Sequence, residues 1–281
     1  MDKGKILILG AKGMLGGQLL KVFAGDAVGW DREDLDVTDF KKLESKLLEV
    51  MPGAVINCVA YNDVDGAETK KELALKLNAE VPGELARICN NQNIPIVHFS
   101  TNYVFNGEKG EYKEDDQPNP LSVYAESKYQ GEMAVQNNTV KFYLVRTAVI
   151  FGPKGESELS KKSFVDLMLS LVNNSPVVKA VADEINSITY VVDLAGQIKL
   201  LLSRKLPFGI YHVTNYGQAS WYDFSKEIFR DSNKVVEVLP VSSAEFRRPA
   251  VRPKKAVLVN TKLPQLRSWQ EALAEFLKAH Q

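Results

Sequence analysis

Short apolar runs alternate with amphipathic segments through the first half of the chain, which predicts an α/β fold with a parallel, doubly wound sheet. The continuous apolar run 54–59 is typical of a parallel strand that is buried on both faces. A glycine-rich turn that starts at Gly10 joins the first apolar run to a helical pattern, as in a strand–turn–helix unit. Together these observations predict a Rossmann-type domain.

The predicted elements follow one another in the order that such a sheet requires. The first strand, residues 5–9, leads through the glycines into a helix. Thr38-Asp39 offers a cap for an amphipathic helix over 39–51, and a second helix covers 124–136. The remaining predictions are strands over 26–30, 54–59, 95–100 and 141–146 and a long helix over 71–90, weakened near Pro82-Gly83.

The regular alternation loosens after Gly152, which predicts a smaller, discontinuous C-terminal substrate lobe. We predict a dinucleotide-binding domain over 1–150 and 187–214, with the substrate lobe over 151–186 and 215–281. The basic, proline-bearing run 246–255 is usually a solvated loop; alternatively, it faces the phosphates of a nucleotide-linked substrate. The predicted later elements are helices over 163–173, 220–230 and 269–279 and a strand over 209–213.

Composition excludes several classes of protein. Of 281 residues, 45% are hydrophobic and 25% are charged, as in ordinary globular proteins. Lys+Arg and Asp+Glu are equal at 35 each, so we expect no nucleic-acid partner. No apolar run approaches the roughly 20 residues of a membrane helix, and a strand begins almost at once, so we expect no membrane association, no leader peptide and a cytoplasmic location. The scattered histidines predict no metal site, and the two cysteines read as core thiols.

The glycine turn is a candidate phosphate site. Gly10 suits the tight turn, Gly13 allows a pyrophosphate to approach the backbone, and Gly16 lets the helix pack closely on the strand. Phosphates would then lie at the helix N-terminus, where free N–H groups favour negative charge. The spacing is G-x-x-G-x-x-G rather than G-x-G-x-x-G, and the alternative is a glycine-rich connection that binds nothing.

Residues after the second strand bear on the choice of cofactor. Asp31 lies about 20 residues after the first glycine, where an acid can bind the ribose 2′-hydroxyl of NADH. Its neighbour Arg32 would equally accept the 2′-phosphate of NADPH. A solvated loop is the alternative for both residues, and the sequence leaves NADPH or NADH open.

Tyr124 and Lys128 form the candidate catalytic pair. Four residues apart on a helix, their side chains share one face. We expect the ammonium to favour the phenolate and so to lower the pKa of the tyrosine from about 10. Such a tyrosine exchanges a proton with a carbonyl or alcohol oxygen, and a hydroxyl of Ser100 or Thr101 would hold the same oxygen. The alternative is an ordinary solvated helix face.

Several motifs occur in a fixed order and together resemble one family. They are the glycine turn 10–16, the segment 36–39, residues 57–68 against N-x-A-A-[YH]-T-x-V-D-x-A-E, residues 100–107 against S-T-D-Y-V-F-D-G, residues 120–132 against P-x-N-x-Y-G-x-[ST]-K-x-x-G-E, and Arg146-Thr147. The chain resembles the dTDP-4-dehydrorhamnose reductase (RmlD-like) family of the extended short-chain dehydrogenase/reductase superfamily. The resemblance is strong to about residue 152 and thin afterwards.

The resemblance implies an NAD(P)H-dependent reduction of the C4 ketone of a nucleotide-linked 4-keto-6-deoxy sugar, specifically dTDP-4-dehydro-L-rhamnose to dTDP-L-rhamnose. Tyr124 would donate the proton, Lys128 would hold the nicotinamide ribose, and Thr101 or Ser100 would bind the carbonyl oxygen. The chain would act as a monomer or homodimer. Together with these residues, the predicted cofactor contacts are Gly10, Gly13, Met14, Leu15, Asp31, Arg32, Asp36, Val37, Val59, Ala60 and Tyr61, and the predicted substrate contacts are Val64, Thr101, Asn102, Tyr124 and Val149.

The chain departs from the family pattern on the substrate side. Asn102 and Asn106 replace aspartates, and Val149 replaces a tryptophan. Residues 183–189 lack the glycine and proline of D-Q-x-G-x-P-T, and no residues match the glutamates with which some members bind magnesium at a dimer contact. Two alternatives therefore stay open: a reductase or dehydrogenase of another sugar nucleotide or ketone, and a non-catalytic dinucleotide-binding regulatory subunit.

Overall fold

The computed structural model of the chain describes residues 4–157, 160, 162–172 and 176–279. The strands are β1 (Ile6–Leu9), β2 (Ala27–Trp30), β3 (Ala54–Asn57), β4 (Ile96–Thr101), β5 (Gly110–Tyr112), β6 (Phe142–Thr147), β7 (Ile150–Phe151), β8 (Val177–Val181), β9 (Ile185–Asn186), β10 (Thr189–Tyr190), β11 (Gly209–His212), β12 (Ala219–Ser220), β13 (Glu237–Val241) and β14 (Lys255–Leu258). The helices are α1 (Met14–Val22), α2 (Phe40–Val50), α3 (Val64–Thr69), α4 (Lys71–Leu75), α5 (Val81–Asn91), α6 (Val123–Asn138), α7 (Phe164–Leu171), α8 (Val191–Ser203), α9 (Trp221–Asp231) and α10 (Trp269–Lys278).

A six-stranded parallel sheet in the order β11-β6-β4-β3-β1-β2 carries helices on both faces. Alternate residues of β1 point to opposite faces, so Ile8 packs with α1 and α8 while Leu7 packs with α2 and α5. The doubly wound, Rossmann-type sheet that the sequence predicts is confirmed. Its strands end along one edge, which brings the residues after β1, β3 and β4 together.

The predicted helix over 71–90 is interrupted. A π-helical turn, Lys76–Glu80, separates α4 from α5, and Pro82 lies just after this turn, where it lacks the N–H that would donate to the preceding turn. The irregularity therefore precedes the proline. Its consequence is that Asn78 turns inward and is fully buried.

The other elements predicted from the sequence are confirmed to within a few residues at their ends. Asn173, the predicted end of α7, lies outside the described residues, and α8 is a helix that the sequence pattern does not predict. α8 is apolar on most of its surface because it packs against both the sheet and α1, which obscures the period that marks a helix.

Smaller sheets lie beside the main one. The strands β12, β9, β14 and β5 form one of them, and β8 pairs with β13 and β7 with β10. A separate apolar core joins α7, α9 and α10. β5 comes from the segment 1–150 yet pairs with β14, so the two predicted domains are interleaved at this strand. The domain boundaries themselves stay a prediction.

Candidate active site

The predicted catalytic pair lies on the buried face of α6. Ser122 begins the helix, with its side chain accepting a hydrogen bond from Ala125 N at 3.3 Å. One turn apart, Tyr124 and Lys128 are both buried. The Lys128 ammonium donates a 2.6 Å hydrogen bond to the carbonyl oxygen of Phe99 on β4, which fixes the helix against the sheet.

The structure distinguishes the two candidate hydroxyls at the end of β4. A hydrogen bond between the Thr101 and Tyr124 side chains lowers the pKa of Tyr124, and the Thr101 hydroxyl donates to the side-chain oxygen of Asn102 at 3.4 Å. The Ser100 hydroxyl is buried, and it has no hydrogen-bond partner among the described residues. Neighbouring residues of a strand point to opposite faces, so only one of the two can face α6. The geometry favours Thr101 as the partner of Tyr124.

The prediction that the pKa of Tyr124 is lowered is wrong for the protein without its ligands. Burial raises the pKa of Tyr124 to about 12, and the hydrogen bond from Thr101 only partly opposes this rise. Burial also lowers the pKa of Lys128 to about 8. Desolvation disfavours the charged form of both side chains. Tyr124 is therefore a protonated phenol at neutral pH, which is the form that a proton donor requires.

The glycine turn fits the pyrophosphate of a dinucleotide. Gly10 has φ +75°, and a Cβ at Gly16 would lie 2.2 Å from the Gly10 carbonyl oxygen, so both positions demand glycine. Gly13 precedes α1 and provides no side-chain cap. The first N–H groups of α1, from Met14 and Leu15, are therefore not satisfied by a capping side chain, as an anion site at a helix N-terminus requires.

A segment of the substrate side packs against the same turn, which the sequence did not predict. The Ser157 N–H donates to the Lys12 carbonyl oxygen at 3.0 Å. A Cβ at Gly155 would lie 2.4 Å from that oxygen and 2.6 Å from the carbonyl carbon of Gly13. Only glycine can approach the phosphate turn this closely.

The residues expected near the adenosine lie at the end of β2. The Asp31 carboxylate accepts hydrogen bonds from the N–H groups of Lys12 and Arg32 at 2.9 and 2.8 Å, which ties it to the glycine turn. The Lys12 ammonium pairs with Glu33. The Arg32 side chain is exposed. A basic group and an acidic group therefore stand side by side at the predicted ribose.

Asp36 and Val37 occupy different environments. The exposed Asp36 carboxylate accepts hydrogen bonds from the Thr38 hydroxyl at 2.7 Å and from the Thr38 N–H at 3.0 Å, and these bonds lower its pKa. The Val37 side chain is buried in the core with α2 and α5. Only the backbone of Val37 is available to a ligand.

The residues after β3 are held by buried asparagines. Asn57 accepts a hydrogen bond from Val59 N at 3.1 Å. Asn78 accepts from Tyr61 N at 2.8 Å and donates to Tyr61 O at 3.0 Å and to the Ser127 hydroxyl at 2.9 Å. Asn78 therefore joins the predicted cofactor segment, Val59 to Tyr61 with the half-buried Ala60 between them, to the catalytic helix. Sequence reasoning missed Asn78; the available signal was a polar residue on the apolar side just before Pro82.

The structure brings one further predicted substrate residue, Val64, to Tyr124 and places Val149 elsewhere. Val64 and Tyr103 pack in one cluster with Tyr124, and the ring of Tyr103 meets that of Tyr124 edge-on with centroids 6.4 Å apart. Val149 packs against the core of α7, α9 and α10. Its φ of +38° is strained for a β-branched residue, and such strain is often found near ligand sites.

Asn102 follows Thr101 and is buried. Its amide nitrogen donates to the side-chain oxygen of Asn186 at 2.8 Å and to the Ala256 carbonyl oxygen at 2.9 Å. Both amide hydrogens are thus used within the protein, and only the side-chain oxygen faces Thr101, at 3.4 Å from its hydroxyl.

The basic run is partly neutralised. Arg252 pairs with Asp65 through two bonds of 2.7 and 3.0 Å, and Arg248 pairs with Glu184. The pKa of Tyr103 is raised to about 12 by burial, and both arginines oppose that rise. Arg248 and Arg252 therefore lie near Tyr103, while other residues of the run, among them Phe246 and Val251, are exposed.

A Rossmann sheet with a glycine turn after its first strand, and a buried Tyr-x-x-x-Lys helix whose tyrosine meets a threonine side chain, is the arrangement of an extended short-chain dehydrogenase/reductase. The family model described as the RmlD substrate binding domain matches residues 4–281. The chain belongs to this family.

Named relatives and a solved structure agree with this assignment. A probable dTDP-4,6-dihydroxy-2-methyloxan-3-one 4-ketoreductase from Streptomyces antibioticus is 38% identical, covering 96% of this chain and 93% of the relative. A dTDP-4-dehydrorhamnose reductase from Aggregatibacter actinomycetemcomitans is 34% identical, covering 96% and 97%. The crystal structure of dTDP-4-dehydrorhamnose reductase from Bacillus anthracis in complex with NADP has a TM-score of 0.93 at 35% identity, covering 99% and 100%.

The described residues contain neither a membrane span nor a metal cluster. None of the helices there is both long and apolar enough to cross a membrane. No three His, Cys, Asp or Glu side chains in that part of the chain are grouped so that they could hold a metal ion.

Proposed function

We propose that this chain catalyses the NAD(P)H-dependent reduction of the C4 ketone of a nucleotide-linked 4-keto-6-deoxy sugar, specifically dTDP-4-dehydro-L-rhamnose to dTDP-L-rhamnose. The observation that carries the proposal is the buried hydrogen bond between the side chains of Tyr124 and Thr101. Tyr124 shares the buried face of α6 with Lys128. The family and the names of the relatives support the choice of substrate.

Each residue of the proposed site has one role. The reduced nicotinamide, when bound, supplies the hydride. Tyr124 donates its proton to the C4 oxygen as negative charge develops there, and Thr101 donates a hydrogen bond to the same oxygen. Lys128 binds the nicotinamide ribose, and its ammonium stabilises the phenolate that the proton transfer leaves behind. Ser100, whose buried hydroxyl has no hydrogen-bond partner among the described residues, contributes to packing in this scheme.

The proposed cofactor site extends from α1 to β3. The N–H groups of Met14 and Leu15, with Gly10 and Gly13 leaving room, bind the pyrophosphate. The adenosine ribose meets Asp31 and Arg32 with the backbone near Asp36 and Val37, and the nicotinamide half meets Val59, Ala60 and Tyr61. NADPH is favoured over NADH because Arg32 is exposed beside Asp31, whose carboxylate already accepts two backbone N–H bonds.

The proposed substrate site combines α3, the segment after β4 and the basic run. Val64 contacts the sugar nucleotide, and Val149 lines its far side. The guanidinium groups of Arg248 and Arg252 bind the diphosphate of the substrate. The diphosphate competes there with Glu184 and Asp65, with which these arginines are paired. Asn102 offers the sugar only its side-chain oxygen, because its amide hydrogens are already donated.

A second candidate keeps the chemistry and changes the sugar. The 38% identical relative is named for a different 4-keto sugar, and Val149 lacks the aromatic surface that the family pattern has at this position. The reaction of this candidate is the reduction of another dTDP-linked 4-ketone by the same residues.

Turnover tests the proposal directly. The full chain is mixed with NADPH and dTDP-4-dehydro-L-rhamnose, the loss of reduced-nicotinamide absorbance is followed, and the product is identified by NMR. We expect dTDP-L-rhamnose. Faster turnover of dTDP-4-keto-6-deoxy-D-glucose would favour the second candidate. No NADPH oxidation with either sugar, while calorimetry still shows NADPH binding, would favour a regulatory subunit.

A cytoplasmic location and a monomeric or homodimeric state stay predictions.

A further inference from the structure

A buried ion pair, Glu132 with Arg146, begins one helical turn after Lys128 on α6. Glu132 on α6 and Arg146 on β6 are 0% and 2% exposed. The guanidinium donates to both carboxylate oxygens at 2.9 and 2.7 Å. It also donates to the Glu114 carbonyl oxygen at 3.3 Å and lies 5.0 Å from the centre of the Phe105 ring. Two fork-like bonds and a stacked ring hold the pair in one geometry.

The pair is electrostatically connected to Lys128. Glu132 follows Lys128 by four residues, so the two side chains are neighbours on the inner face of α6. Burial lowers the pKa of Lys128, and the Glu132 carboxylate opposes this shift. Since the lysine is almost completely enclosed, water screens this interaction very little.

Other groups around Lys128 do not carry a comparable charge. His98 faces it from β4, and burial together with the lysine charge lowers the pKa of this histidine well below its ordinary value, so its ring is neutral. Tyr124 is a neutral phenol, and the π-helical turn presents the uncharged Asn78. Glu132 on α6 is the charged group that raises the pKa of Lys128, and Arg146 on β6 is its ion-pair partner.

We propose that Glu132 and Arg146 are positioning residues of the reaction, which together set the fraction of Lys128 that is protonated beside Tyr124. Glu132 favours the ammonium, and Arg146 limits that effect by compensating the carboxylate. The consequence for catalysis rests on the proposed function; the effect on Lys128 itself does not.

Removing the charge of Glu132 and removing the charge of Arg146 should shift the pH at which Lys128 loses its proton in opposite directions. In Glu132→Gln the guanidinium charge is uncompensated, which disfavours the ammonium and lowers the pH at which Lys128 loses its proton. In Arg146→Met the carboxylate is uncompensated, which favours the ammonium and raises that pH. The double variant removes both charges and returns it towards the wild type. A role confined to folding would weaken activity without moving the two variants apart on the pH axis.

Two measurements test the proposal on the full-length chain. In the first, the chain carries lysine labelled with carbon-13, the Lys128 Cε resonance is assigned from its loss in Lys128→Met, and its shift is followed against pH without substrate. We expect titration midpoints on opposite sides of the wild type, each displaced by about one pH unit, which is a tenfold change in the protonation equilibrium. In the second, kcat of the NADPH-dependent reduction is measured against pH. We expect the alkaline limb of this profile to move in each variant in the same direction as the Lys128 titration midpoint.

Controls separate charge from packing. Arg87→Met breaks an arginine–carboxylate network on α5 that is half exposed and leaves Lys128 untouched, so its titration should match the wild type. Arg146→Lys keeps the positive charge and should keep the Lys128 midpoint even where stability falls. If one charge-removing variant does not fold, the direction of the midpoint shift in the other carries the test. Unmoved midpoints in Glu132→Gln and Arg146→Met, or shifts of both in the same direction, would overturn the proposal; absent turnover with opposed midpoints would instead count against the proposed function.

Discussion

The amide nitrogen of Asn102 donates a 2.8 Å hydrogen bond to the side-chain oxygen of Asn186, although the two residues are 84 positions apart. Asn102 follows Thr101, the proposed ligand of the carbonyl oxygen, and Asn186 belongs to β9 of the smaller sheet. Both positions depart from the family pattern, and both side chains are buried. The departures are therefore linked: the segment after β4 is tied to the substrate side by two amides.

Replacing Asn102 with aspartate should destabilise the protein. A carboxylate cannot donate to the Ala256 carbonyl oxygen, so that oxygen would face an acceptor in a buried place. We expect Asn102→Asp to lower the free energy of unfolding by about 2 kcal/mol, measured by urea denaturation. Asn106→Asp is the matched control, because Asn106 accepts its hydrogen bonds through an oxygen that aspartate retains. Equal midpoints for the two variants would contradict the role of the Asn102 donors.

Tyr124→Phe should abolish turnover while keeping the cofactor. The variant lacks the phenol proton but preserves the ring that packs against Tyr103 and Val64. We expect kcat to fall on the order of 10³-fold, with the NADPH dissociation constant nearly unchanged in calorimetry. Tyr216→Phe, at an exposed tyrosine, is the control. Wild-type turnover in Tyr124→Phe would show that another group donates the proton.

Thr101→Ala and Ser100→Ala should differ sharply in activity. The Thr101 side chain forms a hydrogen bond with Tyr124, whereas the Ser100 hydroxyl is buried without a hydrogen-bond partner in the described part of the chain. We expect steady-state assays to give a loss of kcat of about 10²-fold for Thr101→Ala and a rate near wild type for Ser100→Ala. The reverse order would mean that the serine binds the carbonyl oxygen.

The buried Lys128 should make stability depend on pH. Its pKa is about 8 in the folded protein and ordinarily 10.5, so between these values the unfolded chain holds a proton that the folded protein has released. The free energy of unfolding therefore gains a term that rises with pH across this window, by about 3 kcal/mol in total. In Lys128→Met this rise should disappear, as urea titrations at several pH values would reveal. Lys41→Met, at an exposed lysine, should retain it; a rise that survives in Lys128→Met would place its origin in another group.

Arg32→Ala should weaken the binding of NADPH but not that of NADH. Its guanidinium is exposed beside Asp31, where the 2′-phosphate of NADPH is expected and NADH has only a hydroxyl. We expect the dissociation constant of NADPH to rise about tenfold, equivalent to about 1.4 kcal/mol, with that of NADH unchanged. Arg204→Ala, at the exposed end of α8, is the control. Equal losses for both cofactors would indicate that Arg32 does not recognise the phosphate.

Local sequence patterns are sufficient to predict the sheet, the phosphate turn and the face of α6 that carries Tyr124 and Lys128. These features depend on short periods and on glycines whose conformation or packing excludes a side chain, as at Gly10 and Gly16. They can be read within a few residues, which explains why the predicted elements agree closely with the structure.

Long-range packing establishes which hydroxyl meets Tyr124, in which direction its pKa moves, and where Asn78 and Asn102 direct their amides. Burial sets the pKa, since the desolvation of Tyr124 outweighs the hydrogen bond with Thr101. The amide partners are 17 to 154 residues away in the chain. No local pattern encodes such separations, because they depend on how the strands and helices pack against one another.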